Sequence, residues 1–236
     1  MKISNKLKTI SKTLLAAVTV SAVLVSCTKD KIDYTPQPIS IMGVIHASPT
    51  TEKLDFYVGD TKANRDDFAY TNKINYLQIY SGDRDVKITK KGSTATVLTE
   101  KLKLVDQMAY SLFIIDTFDK AKFLLVKDSV TMAGAGKAKL RFINLSPDAP
   151  ALNLGIVGKD VPVVTNKLFK EYSNFESIDA GDKVTFKIKN NEGVEVASLV
   201  DQKIEQGKIY TIWVKGLKSA TTDEMKVGAV IYSHQY

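Results

Sequence analysis

The sequence predicts an all-β protein: two tandem immunoglobulin-like β-sandwich domains behind a signal peptide and a tether. Three observations predict it. Beyond residue 40, apolar and polar residues alternate with a period of two almost everywhere. The alternating runs are short and punctuated by Gly, Asn and Asp, without a long helical pattern. The whole pattern then recurs after about 100 residues, the length of a domain and too long for a solenoid repeat.

Residues 1–26 have the layout of a secretory signal. Lys2, Lys6, Lys8 and Lys12 form a basic start without an acid, and an apolar run from Leu14 to Val25 follows, ending at Ser26-Cys27. A run of twelve residues is too short for a spanning helix, which needs roughly 20 apolar ones. Leu24-Val25-Ser26-Cys27 resembles a bacterial lipobox, and Cys27 is the only cysteine in the chain. Cys27 is therefore the expected lipidation residue, with palmitate among the acyl chains that would anchor the protein to a membrane. The other reading of Cys27 is a plain thiol beside an ordinary signal. Without a second cysteine, no disulfide supports the fold, and stability must come from hydrophobic cores.

Residues 27–40 read as the lipidated N-terminus and a flexible tether, because "TKDKIDYTPQPIS" is polar, contains Pro36 and Pro38 and has no period. Thr28 and Lys29 follow the cysteine where an inner-membrane retention signal would place Asp. The outer membrane is thus the expected location, in either the periplasmic or the surface leaflet.

The first sandwich spans residues 41–130. Its expected strands are Ile41 to Ala47, Lys53 to Gly59, Tyr76 to Tyr80, Arg84 to Lys90, Thr94 to Thr99, Met108 to Ile115 and Lys122 to Lys127. Gly59 to Asn75 reads as a loop with one helical turn. Residues 131–138 read as a linker. Gly134, Gly136 and Lys137 within it do not make a phosphate loop, since Thr131 and Ala138 occupy the places of the required Gly and Ser or Thr. The second sandwich spans residues 139–236, with strands expected at Lys139 to Asn144, Leu152 to Val157, Phe175 to Ile178, Lys183 to Lys189, Val194 to Val200, Lys208 to Val214 and Lys226 to Tyr232.

The two domains align residue by residue. At an offset of 98, Ser48-Pro49 matches Ser146-Pro147 and His46 matches Asn144; at 99, Tyr76 falls on Phe175 and Gly82-Asp83 on Gly181-Asp182. At 100, Tyr110-Ser111-Leu112-Phe113 meets Tyr210-Thr211-Ile212-Trp213. The runs "VIHASPTTEKLDFYV" and "LRFINLSPDAPALNLGIV", each followed by a Gly-Asp turn and a late "AYSLFII" or "IYTIWV" strand, resemble the domain of unknown function 4397 family in two copies. In the first copy Thr50, Thr51 and Glu52 replace the Asp-Ala-Pro of the motif. The resemblance implies secreted or lipid-anchored sandwich proteins without an assigned activity.

Charge and chemistry narrow the functional classes. The full chain is +7, yet residues 27–236 carry 29 Lys and Arg against 26 Asp and Glu, and the lysines alternate with acids rather than forming a stripe. Nucleic acid is not an expected partner. His46 and His234 share no ligand spacing, so neither metal nor cofactor is expected. The His46 and Ser48 side chains would share a strand face, but no third residue completes a triad. His46 reads instead as a strand-end hydrogen-bonding residue, the role its counterpart Asn144 could also fill. Tyr110 and Tyr210 read as tyrosine corners. Alternation places Trp213 opposite the core face, partly exposed, matched by Phe113; such a pair could stack on a sugar or meet a partner, or be covered by the other domain. The Ser-Pro links read as rigid corners, with Asp148 the residue to test for binding. No catalytic residue is assigned. The expected function is a non-catalytic module binding or scaffolding an envelope protein or glycan; the alternative is a cell-surface hydrolase using Asp55, Asp83 and Asp182.

Overall fold

The computed structural model describes residues 36–128 and 131–236. The signal, Cys27 and the first part of the tether lie outside the described residues. In the first half the strands are β1 (Ile39–His46), β2 (Leu54–Val58), β3 (Thr61–Lys62), β4 (Lys73–Tyr80), β5 (Gly82–Lys90), β6 (Thr96–Leu104), β7 (Ala109–Ile115) and β8 (Lys122–Lys127). The second half repeats them as β9 (Lys137–Asn144), β10 (Leu152–Ile156), β11 (Val164–Lys167), β12 (Glu176–Asp179), β13 (Gly181–Asn190), β14 (Glu195–Ile204), β15 (Ile209–Lys215) and β16 (Gly228–Ser233).

Each half is a sandwich of two four-stranded sheets. The orders are β4-β1-β7-β8 over β3-β2-β5-β6, and β12-β9-β15-β16 over β11-β10-β13-β14. The first six strands of each half follow the immunoglobulin connectivity from strand B to strand G. The last two extend the sheet on the flank where an immunoglobulin domain carries strand A. There β7 runs parallel to β1, and β15 parallel to β9 in the equivalent register.

All the expected strands form, with ends shifted by a few residues. Two were not expected: β3 lies in the segment read as a loop with a helical turn, and β11 is its counterpart. Both are short, and Val164 is the one apolar residue in the two, so neither carries an alternating signal. The one helical turn among the described residues is a 3-10 turn at Phe118–Lys120. Lys137 and Ala138, read as the end of the linker, already belong to β9.

Three apolar cores result. One fills the first sandwich around Met42, Phe56, Ile88 and Leu112. A second fills the other around Phe142, Leu154, Phe186 and Ile212. The third joins the sandwiches, taking Ile45, Phe113, Ile115 and Val126 from one side and Ile143, Leu145 and Trp213 from the other. Alternation explains the division. Leu112 and Ile114 of β7 point into their own sandwich while Phe113 and Ile115 point at the other domain. The inner sheets therefore pack face to face, and residues 37–236 form a stack of four sheets. Strands wetted on neither face read as continuous apolar runs, as "SLFII" and "TIWV" do.

Candidate functional site

The titratable groups gather at the seam between the inner sheets. Asp128, just past β8, stands in a salt bridge with Arg141 of β9, Oδ1 to Nη2 at 2.7 Å, both side chains sealed from solvent. Arg141 Nη1 also donates to Lys127 O at 3.1 Å, and its guanidinium lies 4.7 Å from the Phe175 ring. The other carboxylate oxygen, Oδ2, accepts from Tyr76 Oη at 2.6 Å and from Ser111 Oγ at 2.8 Å. Tyr76 Oη stands 2.7 Å from His234 Nδ1, and His234 Nε2 stands 2.8 Å from Thr211 Oγ1. With Tyr76 donating to Asp128, its oxygen accepts from Nδ1–H, and Thr211 donates to Nε2, which fits a neutral His234.

Electrostatics follow from this enclosure. Burial alone would raise the Asp128 pKa, but His234, Arg141 and Tyr76 outweigh it and hold the carboxyl below its ordinary range. Burial lowers the His234 pKa, against the attraction of Asp128 and with help from Arg141 and Lys73. Burial, and then the Asp128 charge, push the Tyr76 phenol far up. Lys73 reaches in from β4, its Nζ donating to Ser233 O at 3.3 Å and lying 5.0 Å from the Tyr232 ring.

The cluster is built from equivalent positions of the two halves. Asp128 N donates to Ala109 O, and His234 N donates to Ile209 O, so Asp128 and His234 occupy the same place in the repeat. Ser111 and Thr211 are likewise equivalent, as are Tyr76 and Phe175. Even Gly43 and Arg141 correspond: the Tyr76 ring lies 3.5 Å from where a Cβ on Gly43 would stand, while Arg141 lies against Phe175. The seam thus resembles a homodimer interface whose two sides have diverged into an acid and a base that meet. No local motif announces this cluster; the repeat alignment carried into β8 and β16 would have paired Asp128 with His234.

The residues singled out from sequence go elsewhere. Trp213 and Phe113 are 0 % exposed in the seam, so the expectation of a partly exposed Trp213 is corrected: the other domain covers that strand face. The pair offers no free ring to a sugar. Asp148 is exposed at the second Ser-Pro corner, where its carboxylate accepts from Lys218 N at 2.7 Å and Ser219 N at 2.9 Å. Partial burial opposes ionisation there, and the two amides override it, lowering its pKa. Asp148 ties the corner to the turn after β15.

The strand-end role of the His46 and Asn144 pair is observed. His46 Nε2 stands 3.4 Å from Glu52 O and Asn144 Nδ2 donates to Pro150 O at 3.3 Å, in each case the carbonyl six residues on. Burial lowers the His46 pKa to about 4, against the opposing pull of that carbonyl. Both tyrosine corners also form, Tyr110 Oη accepting from Val105 N at 3.1 Å and Tyr210 Oη from Glu205 N at 3.0 Å.

The three carboxylates of the hydrolase reading do not assemble. Asp55 is buried on β2, 2.6 Å from Lys62 Nζ, with Gly92 N donating to it at 2.9 Å. Asp55 is paired with Thr89, so Asp83 lies six residues along β5, about 20 Å away at roughly 3.3 Å per residue. Asp182 belongs to the other sandwich. Among the described residues no three His, Cys, Asp or Glu side chains form a metal-holding group.

No curated protein matches the chain. Solved structures resemble it weakly. A family CBM26 module, CBMbc, from Eubacterium rectale, solved with maltoheptaose, shares 10 % identity over 83 % of this chain and 98 % of its own, with a TM-score of 0.28. A structure described as α-glucan binding by a streptococcal virulence factor shares 11 % identity over 83 % of this chain and 97 % of its own, with a TM-score of 0.26. A C-terminally truncated tip fimbrial protein from Porphyromonas gingivalis shares 9 % identity over 84 % of this chain and 100 % of its own, with a TM-score of 0.24. From β1 through the first Ser-Pro corner and into β10, residues 41–155 match the family model described as domain of unknown function DUF4397.

Proposed function

We propose that the protein is a lipid-anchored, non-catalytic module of the cell envelope that binds or scaffolds an envelope protein or glycan. One observation carries the reading. The buried Asp128–Tyr76–His234 relay and the Arg141 ion pair fasten one sandwich to the other, so the chain's densest chemistry serves to fix the two domains. Asp128, Arg141 and His234 are buried and Tyr76 is half-buried, so a substrate would have no entry to the acid or to either base. The two outer sheets, β3-β2-β5-β6 and β11-β10-β13-β14, are thereby held in a constant relation, each with one face turned away from the stack. A rigid double platform on a tether suits presentation or capture.

The anchor rests on the sequence around Cys27 and on outer-membrane sorting by Thr28-Lys29. Membrane attachment should be lost, and palmitate labelling abolished, when Cys27 is replaced by Ala. For the binding role, the full chain displayed on cells is offered to glycan arrays and used in envelope pull-downs, with protease shaving to assign the leaflet. Failure to retain any glycan or envelope protein, together with unchanged envelope assembly in a deletion strain, would end the reading.

A further inference from the structure

The edges of the inner sheets are not managed alike. On one flank β6 packs against β8, and β14 against β16, so the two layers close on each other. On the opposite flank β4 and β12 have no further strand beside them among the described residues. A free edge presents unpaired backbone groups and is ordinarily blunted by shortness or charge. β12 obeys this, having four residues that include Glu176 and Asp179. β4 is longer and less guarded: after Lys73 it runs Ile74-Asn75-Tyr76-Leu77-Gln78-Ile79-Tyr80 without a charge or a proline of its own, and only a bulge at Asn75-Tyr76 and Arg84 at the Tyr80 carbonyl interrupt it. A solvent-open groove of about 1030 Å³ follows it, lined by Leu77, Gln78, Tyr80 and, across the gap, Val58 and Lys62.

The ladder shows which groups face outward. Ser81 N donates to Pro38 O, and antiparallel bonding alternates, so Ile79 and Leu77 bond to β1 while Tyr80 and Gln78 turn N–H and C=O to the free side. Consistently, Tyr80 O is met there by Arg84 Nε at 2.6 Å. Gln78 and Tyr80 side chains are exposed, while Ile79 points into the core.

We infer that β4 pairs with β4 of a second copy of this chain, antiparallel about a twofold axis at Gln78. The sequence is self-complementary in that register. Gln78 faces Gln78, Leu77 faces Ile79 on the core side, and Tyr76 faces Tyr80 on the other. Like meets like in polarity at every pair, and no charge opposes another, whereas β12 set against itself would bring Glu176 and Asp179 to its own acidic ends. The two inner sheets of the first domains become one eight-stranded sheet, and closed twofold pairing uses up the edge.

Sedimentation of the detergent-solubilised full chain tests this, together with cysteine crosslinking at the axis. The protein mass should be twice that of the monomer at micromolar concentration, and Gln78→Lys, at an exposed position, should halve it by placing two cations on the axis. Full chain carrying Gln78→Cys should give a covalent dimer under mild oxidation well above the unsubstituted chain, while Ser177→Cys, the same position on β12, should not. A monomer throughout the concentration range, or equal crosslinking by Gln78→Cys and Ser177→Cys, overturns the proposal.

Discussion

Asp128 and Arg141 are each other's compensation for leaving water, so removing either strands the survivor inside protein. Asp128→Ala or Arg141→Ala should cost about 3–5 kcal/mol, read from urea unfolding, whereas Asp128→Leu with Arg141→Met should cost less than the sum of the single changes. His46 makes a different prediction. Its pKa falls from 6.5 in the unfolded chain to about 4 in the fold, so the unfolded state takes up a proton first as the pH drops. Stability conferred by the neutral ring is complete above pH 6.5 and declines on going down to about pH 4, by about 3 kcal/mol at 1.36 kcal/mol per unit. His46→Asn, the residue its counterpart position already uses, should keep the corner and flatten that slope in unfolding midpoints measured against pH. His234, lowered in the same direction, leaves part of the slope in place. The strand-end role of His46 was legible because the repeat sets it beside Asn144. The contact of Asp128 with His234 was not, because a repeat shows that two positions are equivalent without showing that they meet across 106 residues.

Elements show where pattern reading succeeds and where it stops. The longer strands announce themselves by alternation and by Gly-Asp turns, and the tyrosine corners by a Tyr near the start of a late strand. β3 and β11 escape because two to four residues on an edge, with Val164 alone apolar, have no period. Trp213 was assigned to the correct face of β15 but to the wrong surroundings, since alternation separates two faces without saying that either is wet. The turn after β15 is a stricter element than its sequence suggests. Gly216 has φ +81°, and a Cβ there would stand 2.1 Å from Lys226 O, where the chain forms a bridge between Leu217 and Lys226. Gly216→Ala should therefore destabilise by more than the ordinary ~1 kcal/mol cost of a left-handed Ala, and loosen the Asp148 tie to Lys218 and Ser219, measurable as faster amide exchange there.

At the scale of the whole molecule the seam decides whether two domains behave as one. With an apolar centre and a buried ion pair, wild-type protein should unfold in a single calorimetric transition. Trp213→Ala opens a cavity costing about 3–5 kcal/mol, and added to Asp128→Ala it should split the transition in two. The parallel pairing within each sandwich also sets an order in time. Ile41 waits for Ala109, 68 positions further on, before β1 gains its second neighbour. The outward side of the finished first sandwich, bearing Ile45, Phe113, Ile115 and Val126, then waits for Trp213, 87 positions beyond Val126. On a chain delivered N-terminus first, the patch stays uncovered until that stretch has followed. A greasy surface bare for that long invites chaperones and neighbouring nascent chains, so the embrace that makes the mature protein rigid makes its birth the interval in which it most needs an escort.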